Sequence, residues 1–316
     1  MVTNTELTNI VEYYPDGTPQ TAEWREKGRL HRTDGPAEIR YYPDGTIESE
    51  EWWKDGQWHR TDGPAYISYN PNGSITTEFW LQGWQLHRDD GPARIEYNTD
   101  GTIKHESWYQ RGKTHRTGGP AATDYYEDGS IKEETWYENN EIHRIDGPAV
   151  TKYNDDGSIK AKVWFQHGDI HRDNAPAYVG YYPDGTIRAE SWWQHEQPHR
   201  DNAPAHLHYS PDGILTEEDW YRNGQLDRED GPASTRRWPD GTISHESWCK
   251  NGQPHRLDGP AEISYQEDGK PSSEQWYRHG LAHRTDGPAY TYYGKNGAVK
   301  FEQWWQNGEK IAPPTK

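Results

Sequence analysis

The chain reads as an all-β, elongated repeat array of about ten 28-residue β-hairpin units, preceded by a half unit. Three observations predict it. A phrase that opens His-Arg (Asp-Arg once, at 227–228) and closes Gly/Ala-Pro-Ala recurs every 28 residues without one insertion, the arginine falling at 32, 60, 88, 116, 144, 172, 200, 228, 256 and 284. Each copy holds a run that alternates with β-branched and aromatic residues, as Ala37–Tyr42 does in "AEIRYY". Asp-Gly or Asn-Gly then follows in every copy, a dipeptide that reaches positive φ cheaply and closes tight hairpins. Perfect register over ten copies means that each unit packs on its neighbours in one way, as in a ribbon or solenoid.

Taken in order, a unit begins with the strand of "AEIRYY" and turns at "PDGT" (43–46). It returns through "IESEEWW" (47–53) and turns again at Lys54-Asp55-Gly56-Gln57. "HRTDGPA" leads into the next strand. Its proline cannot donate to a ladder, so this stretch is an edge, a bulge or a loop. Residues 1–30 form an N-terminal half repeat or cap with Trp24 in phase, 31–310 the ten repeats, and 311–316 a tail in which Pro313 and Pro314 end the pairing.

Composition narrows the function. A net charge of -18 with only 30% hydrophobic residues would ordinarily suggest disorder, yet 17 Trp and 22 Tyr recur at fixed phase and can replace an aliphatic core. The acidic balance argues against nucleic acid or an anionic membrane as partner. One cysteine, Cys249, suits a reducing compartment, and with no apolar run or leader-like start the expected location is the cytoplasm.

"YYPDGTIESEEWWKDGQ" and "YYEDGSIKEETWYENNE" resemble MORN-type repeats, in particular the bacterial YwqK-type variant that carries an antitoxin label. The resemblance covers residues 9–308, with "HRTDGPA" as a departure from the plain motif. It implies a β-hairpin array used for protein contacts, or in some members lipid contacts, and no catalytic residues.

Trp recurs at 24, 52, 80, 108, 136, 164, 192, 220, 248, 276 and 304 without exception, which favours a buried spine over a ring ladder for sugars or bases. Glu50 and Glu78 head a second column two residues before the Trp, broken once by Lys162. Arg32, Arg60 and Arg88, with the rest of their column, are expected to cross to this Glu or to turn carbonyls while stacking on Trp, so that Lys162 would leave Arg144 or Arg172 unpaired. An exposed anion-binding arginine row is the alternative. The residue after each Trp varies, so Trp53, Trp193 and Trp305 are candidate partner contacts, as are Arg236, Arg237 and Trp238 in the most deviant stretch, "DREDGPASTRRW".

The nine ladder histidines could form a metal row, but one imidazole per unit is too widely spaced for shared ligation. Asp227 takes one slot, which suits a turn-bonding role. His206 and His208 read as solvent-facing. No calcium loop, nucleophile elbow or phosphate-binding glycine loop is present. The sequence therefore predicts no catalytic residue, no metal and no cofactor. The expected function is a non-enzymatic scaffold for protein partners or self-association. The alternatives are an acidic decoy, or antitoxin-like inhibitor, of a basic protein and a carbohydrate-binding array on exposed aromatics.

Overall fold

Each copy folds as two hairpins, as the computed structural model shows for residues 7–314. In the first full copy, Glu38–Tyr41 pairs antiparallel with Ile47–Glu51, and the two-residue strands Trp53–Lys54 and Gln57–Trp58 pair with each other. The sequence reading gave one hairpin per copy with a return strand through Trp53. The ladder instead ends at Glu51, because Trp52 turns its backbone to the next copy: its N–H donates to the Ala65 carbonyl (2.7 Å) and its carbonyl accepts from His59 (2.9 Å).

The two turns differ in kind. Asp55 (φ 52°) and Gly56 (φ 79°) both have positive φ, the geometry of a two-residue hairpin turn. At Pro43–Thr46 only Gly45 does (φ 84°), and the register shifts at Arg40/Tyr41, so a bulge accompanies that turn. Asp44 Oδ1 closes it by accepting from the Thr46 backbone (2.9 Å) and hydroxyl (2.6 Å).

The chain forms two compact units, 1–158 and 159–316, of which residues 1–6 and 315–316 lie outside the described set, with those parts of the expected cap and tail. Within each unit the return strand of one copy pairs with the first strand of the next, as Ser49–Glu51 does with Tyr66–Ser68 and Ala189–Ser191 with His206–His208. At the start, Thr8–Tyr13 pairs with Pro19–Glu26; at the end, Trp304–Gln306 pairs with Glu309–Ile311. Among the described residues there is no helix, and hence none long and apolar enough to cross a membrane.

The interior is built from small and mixed side chains. The alanine after each proline, from Ala37 to Ala289, has no exposed surface in any copy. Around these lie Ser49, Glu51 and Trp53 and their equivalents, such as Ser107, Thr135 and Cys249. Among the described residues no large side chain is fully enclosed. The fold therefore depends on the ties between copies as well as on apolar burial.

Candidate functional site

The columns that do not vary converge on the loop between copies. In every copy the arginine lies over the Trp eight positions earlier, Cζ to ring centroid 4.1 Å for Arg32 on Trp24 and Arg60 on Trp52, and 4.2 Å for Arg88 on Trp80. Arg116 and Arg144 lie 4.0 and 3.8 Å over Trp108 and Trp136. In each copy Nη1 also donates to the proline carbonyl four residues on, at 3.3 Å from Arg60 to Pro64. Nε donates to the aspartate two residues on where there is one, at 3.0 Å from Arg60 to Asp62. A planar guanidinium can stack and donate in its own plane at once, which an ammonium cannot do. The Trp rings are half-buried under these arginines.

The arginine does not reach the glutamate column, which corrects the expected Arg–Glu pairing. Glu50 and Glu78 accept instead from the phenols of Tyr69 (2.6 Å) and Tyr97 (2.7 Å), nineteen residues on. Glu134–Tyr153, Glu190–Tyr209, Glu246–Tyr265 and Glu274–Tyr293 repeat the bond. Lys162 therefore leaves neither arginine unpaired. Arg144 and Arg172 keep their rings and carbonyls, while the Lys162 ammonium faces the Tyr181 ring at 5.8 Å. The break in the tyrosine column, at Arg237, was the signal that the two columns meet: Arg237 pairs with Glu218 at 3.5 Å.

The histidine ties the loop that opens a copy to that copy's short hairpin. His31 Nδ1 accepts the backbone N–H of Asp55 (3.2 Å), and His87, His199, His255 and His283 accept in the same way from residues 111, 223, 279 and 307. Each of those donors sits at positive φ in the short hairpin turn 24 residues further along the chain. Asp227 replaces imidazole with a carboxylate and accepts from Asn251 at 2.8 Å. Glu26, His31 and Asp55 come close enough to share an ion, but the carboxylates approach opposite ring nitrogens: Glu26 faces Nε2 at 3.5 Å, whereas Asp55 faces Nδ1 at 3.2 Å, which is engaged by the Asp55 amide.

Of the candidate partner contacts, Trp53 alone is buried, Trp193, Trp305, Arg237 and Trp238 are half-buried, and Arg236 is exposed. Trp53 is buried, not a surface contact: its indole donates to Glu51 (3.0 Å), and Trp58 and Trp84 pack on it at 5.2 and 5.6 Å. Glu51 also accepts from Trp58 (2.9 Å), and burial followed by the nearby Glu38 pushes its carboxyl pKa up. Trp193 is half-buried with its edge toward His206 (5.7 Å), and Trp305 donates to Gln303 (3.2 Å). His206 is half-buried rather than solvent-facing, bonded to Ser191 (2.8 Å), and burial lowers its pKa; His208 is exposed. Arg236 pairs with Glu217 (2.8 Å), and Trp238 is half-buried, filling the slot held by Tyr42 in the first full copy. The deviant stretch thus repairs its own substitutions.

The outer surface where copies differ includes the loop residue after each arginine. Ile145 and Leu257 occupy this position, 89% and 67% exposed, where other copies have Thr, Asp or Glu. Trp84 is also exposed, in the one short turn whose Gly comes first.

No family model and no curated protein matches the chain. Among solved structures, the Photorhabdus luminescens Tc holotoxin pore aligns at 13% identity and a TM-score of 0.17, over 96% of this chain and 16% of its own. The TcdB2–TccC3 structure aligns at 9% identity and a TM-score of 0.15, over 96% and 23%. Choline binding protein F from Streptococcus pneumoniae aligns at 9% and 0.14, over 93% and 99%. The chain thus spans less than a quarter of the first two.

Proposed function

We propose that this chain is a non-enzymatic β-hairpin scaffold of the MORN-like kind, acting in the cytoplasm, that binds a protein partner through the loop tips where its copies differ. One observation supports this above the rest: all ten unvarying arginines are engaged by a ring and a carbonyl inside the framework, so the repeated groups act in structure and recognition falls to exposed positions that vary, the loop tips among them. Exposed Ile145 and Leu257 are apolar groups without a structural partner role at their tips, the kind of residue that anchors contacts. The buried thiol of Cys249, pushed up in pKa by burial, suits a reducing compartment.

A photo-crosslinker placed at residue 145, and separately at 257, tests the reading in extract of the native host. The expected result is one shared partner at both positions, lost with Ile145→Asp and Leu257→Asp while the β-sheet circular dichroism is unchanged. Capture that ignores both substitutions contradicts it. An acidic decoy is the second reading, favoured by the carboxylates of Asp34, Asp62, Asp90 and Asp146, which stand more than three-quarters exposed in four of the first five loops. It predicts a basic partner released by moderate salt.

A further inference from the structure

At the internal junctions, residue i of a return strand faces residue i+19 of the next first strand. In the first compact unit His105 faces Asp124 and Glu133 faces Lys152; in the second Glu217 faces Arg236 and Ser273 faces Tyr292. Three of these pairs are bonded through their side chains, at 2.7, 3.1 and 2.8 Å. The glutamate one residue along takes the phenol of the tyrosine beyond, as Glu50 takes Tyr69.

Two strands among the described residues lack such a neighbour. Thr8–Tyr13, a first strand, pairs only with Pro19–Glu26. Val299–Gln306, a return strand, pairs with Tyr290–Tyr293 and, past Gln303, only with its own short hairpin. These are the two strand types that meet at every internal junction. Both expose apolar residues: Ile10 and Tyr13 are 42% and 60% exposed, Val299 and Phe301 53% and 50%. Tyr13 occupies the tyrosine column and Glu302, also exposed, the glutamate column. In the interior those columns bond each other.

We infer that Val299–Gln303 of one copy of this chain pairs antiparallel with Ile10–Tyr13 of a second copy, in the internal register. Phe301 then faces Glu12, Glu302 faces Val11, Gln303 faces Ile10, and the Tyr13 phenol donates to Glu302. Main-chain bonds join the open edges, and the exposed apolar groups leave water together. The two surfaces are different, so the contact is head-to-tail and each added copy presents a fresh edge. The inference concerns strand edges and is independent of partner binding at the loop tips: edge variants that stop assembly but retain the crosslinked partner separate the two.

Sedimentation velocity of the full chain over a broad concentration range tests it. Species that grow past the dimer are expected. Phe301→Glu, facing Glu12, lowers the association constant by about tenfold, whereas Phe301→Lys, equally polar but opposite in charge, lowers it far less. Adding Glu12→Arg to Phe301→Glu restores assembly. An equal mixture of Phe301→Glu, whose tail edge is blocked, and Ile10→Asp, whose head edge is blocked, stops at a one-to-one dimer. A chain that stays monomeric throughout, a dimer that never grows, or growth equally indifferent to Phe301→Glu and Ile10→Asp in folded variants overturns the inference.

Discussion

Arg60-Thr61-Asp62-Gly63-Pro64 and Arg200-Asp201-Asn202-Ala203-Pro204 are two versions of one loop, and the arginine behaves differently in them. In the first, Nε is held by Asp62 (3.0 Å) and Nη1 by the Pro64 carbonyl (3.3 Å), with Cζ 4.1 Å over Trp52. In the second, the bond to Pro204 (3.3 Å) persists and Cζ lies 3.7 Å over Trp192. Asp201 has moved one position forward and faces His199 Nε2 at 3.2 Å. Asn202 carries the bend at φ 56°, and the Arg172 loop repeats the arrangement with Asn174. Ring and carbonyl are thus common to both versions, and the carboxylate latch belongs to one. The hold on the arginine is the stack and the carbonyl.

The largest effects should be the same in both loops. Trp52→Ala and Trp192→Ala each cost about 3 kcal/mol, and Arg60→Ala and Arg200→Ala about 2 kcal/mol through the lost stack, hydrogen bond and packing. Urea melts or amide exchange of the adjoining strands give these values. An Arg60→Ala penalty far above that of Arg200→Ala would show that the latch matters after all.

Gly63 separates the loops next. A Cβ there would lie 2.7 Å from Arg60 Cζ, so the guanidinium must shift off the ring or the loop must move. Gly63→Ala alone costs about 1–2 kcal/mol. With Thr61→Asp and Asp62→Asn added, the sequence becomes that of the Arg200 loop and most of the loss is recovered, as melts of the single and triple variants would show.

The tyrosine column gives the pH dependence. Burial, with Glu134 and Glu190 close by, pushes the Tyr153 and Tyr209 phenols up to about 12. A phenol whose folded value lies above its unfolded value near 10 contributes stability that is fully present below pH 10 and lost as pH rises toward 12. Circular dichroism and tyrosinate absorbance should therefore change together across pH 10–12. Tyr153→Phe should leave that loss shallower at its own junction.

The smallest effect is that of Asp62→Asn. Arg60 and its aspartate meet at the exposed surface, where solvent screens the pair, so the melt should scarcely move and should lose what little salt dependence the pair contributes.

Much of this architecture was legible in the sequence. The 28-residue step and the Asp-Gly turns gave the hairpins, and the flat side chain of arginine beside an unvarying Trp gave the stack. The second hairpin was hidden because two-residue strands are too short to show a period. The Glu–Tyr bond was missed because its partners lie nineteen residues apart, visible only where Lys162 and Arg237 break the two columns in different copies. Trp53 was misread because a varying column was taken for an outer one. Neighbouring Trp58 and Trp84 vary with it and cover it, as compensating residues in an interior do. The unvarying alanine after each proline was the core marker in plain view.

A double-mutant cycle between Arg60 and Trp52, read from the exchange protection of the Trp52 amide that donates to Ala65, tests the claim that ring and guanidinium hold the copies together. Arg60→Gln and Trp52→Leu should couple by about 1 kcal/mol, with the same coupling for Arg200 and Trp192. Strict additivity in both loops would contradict it.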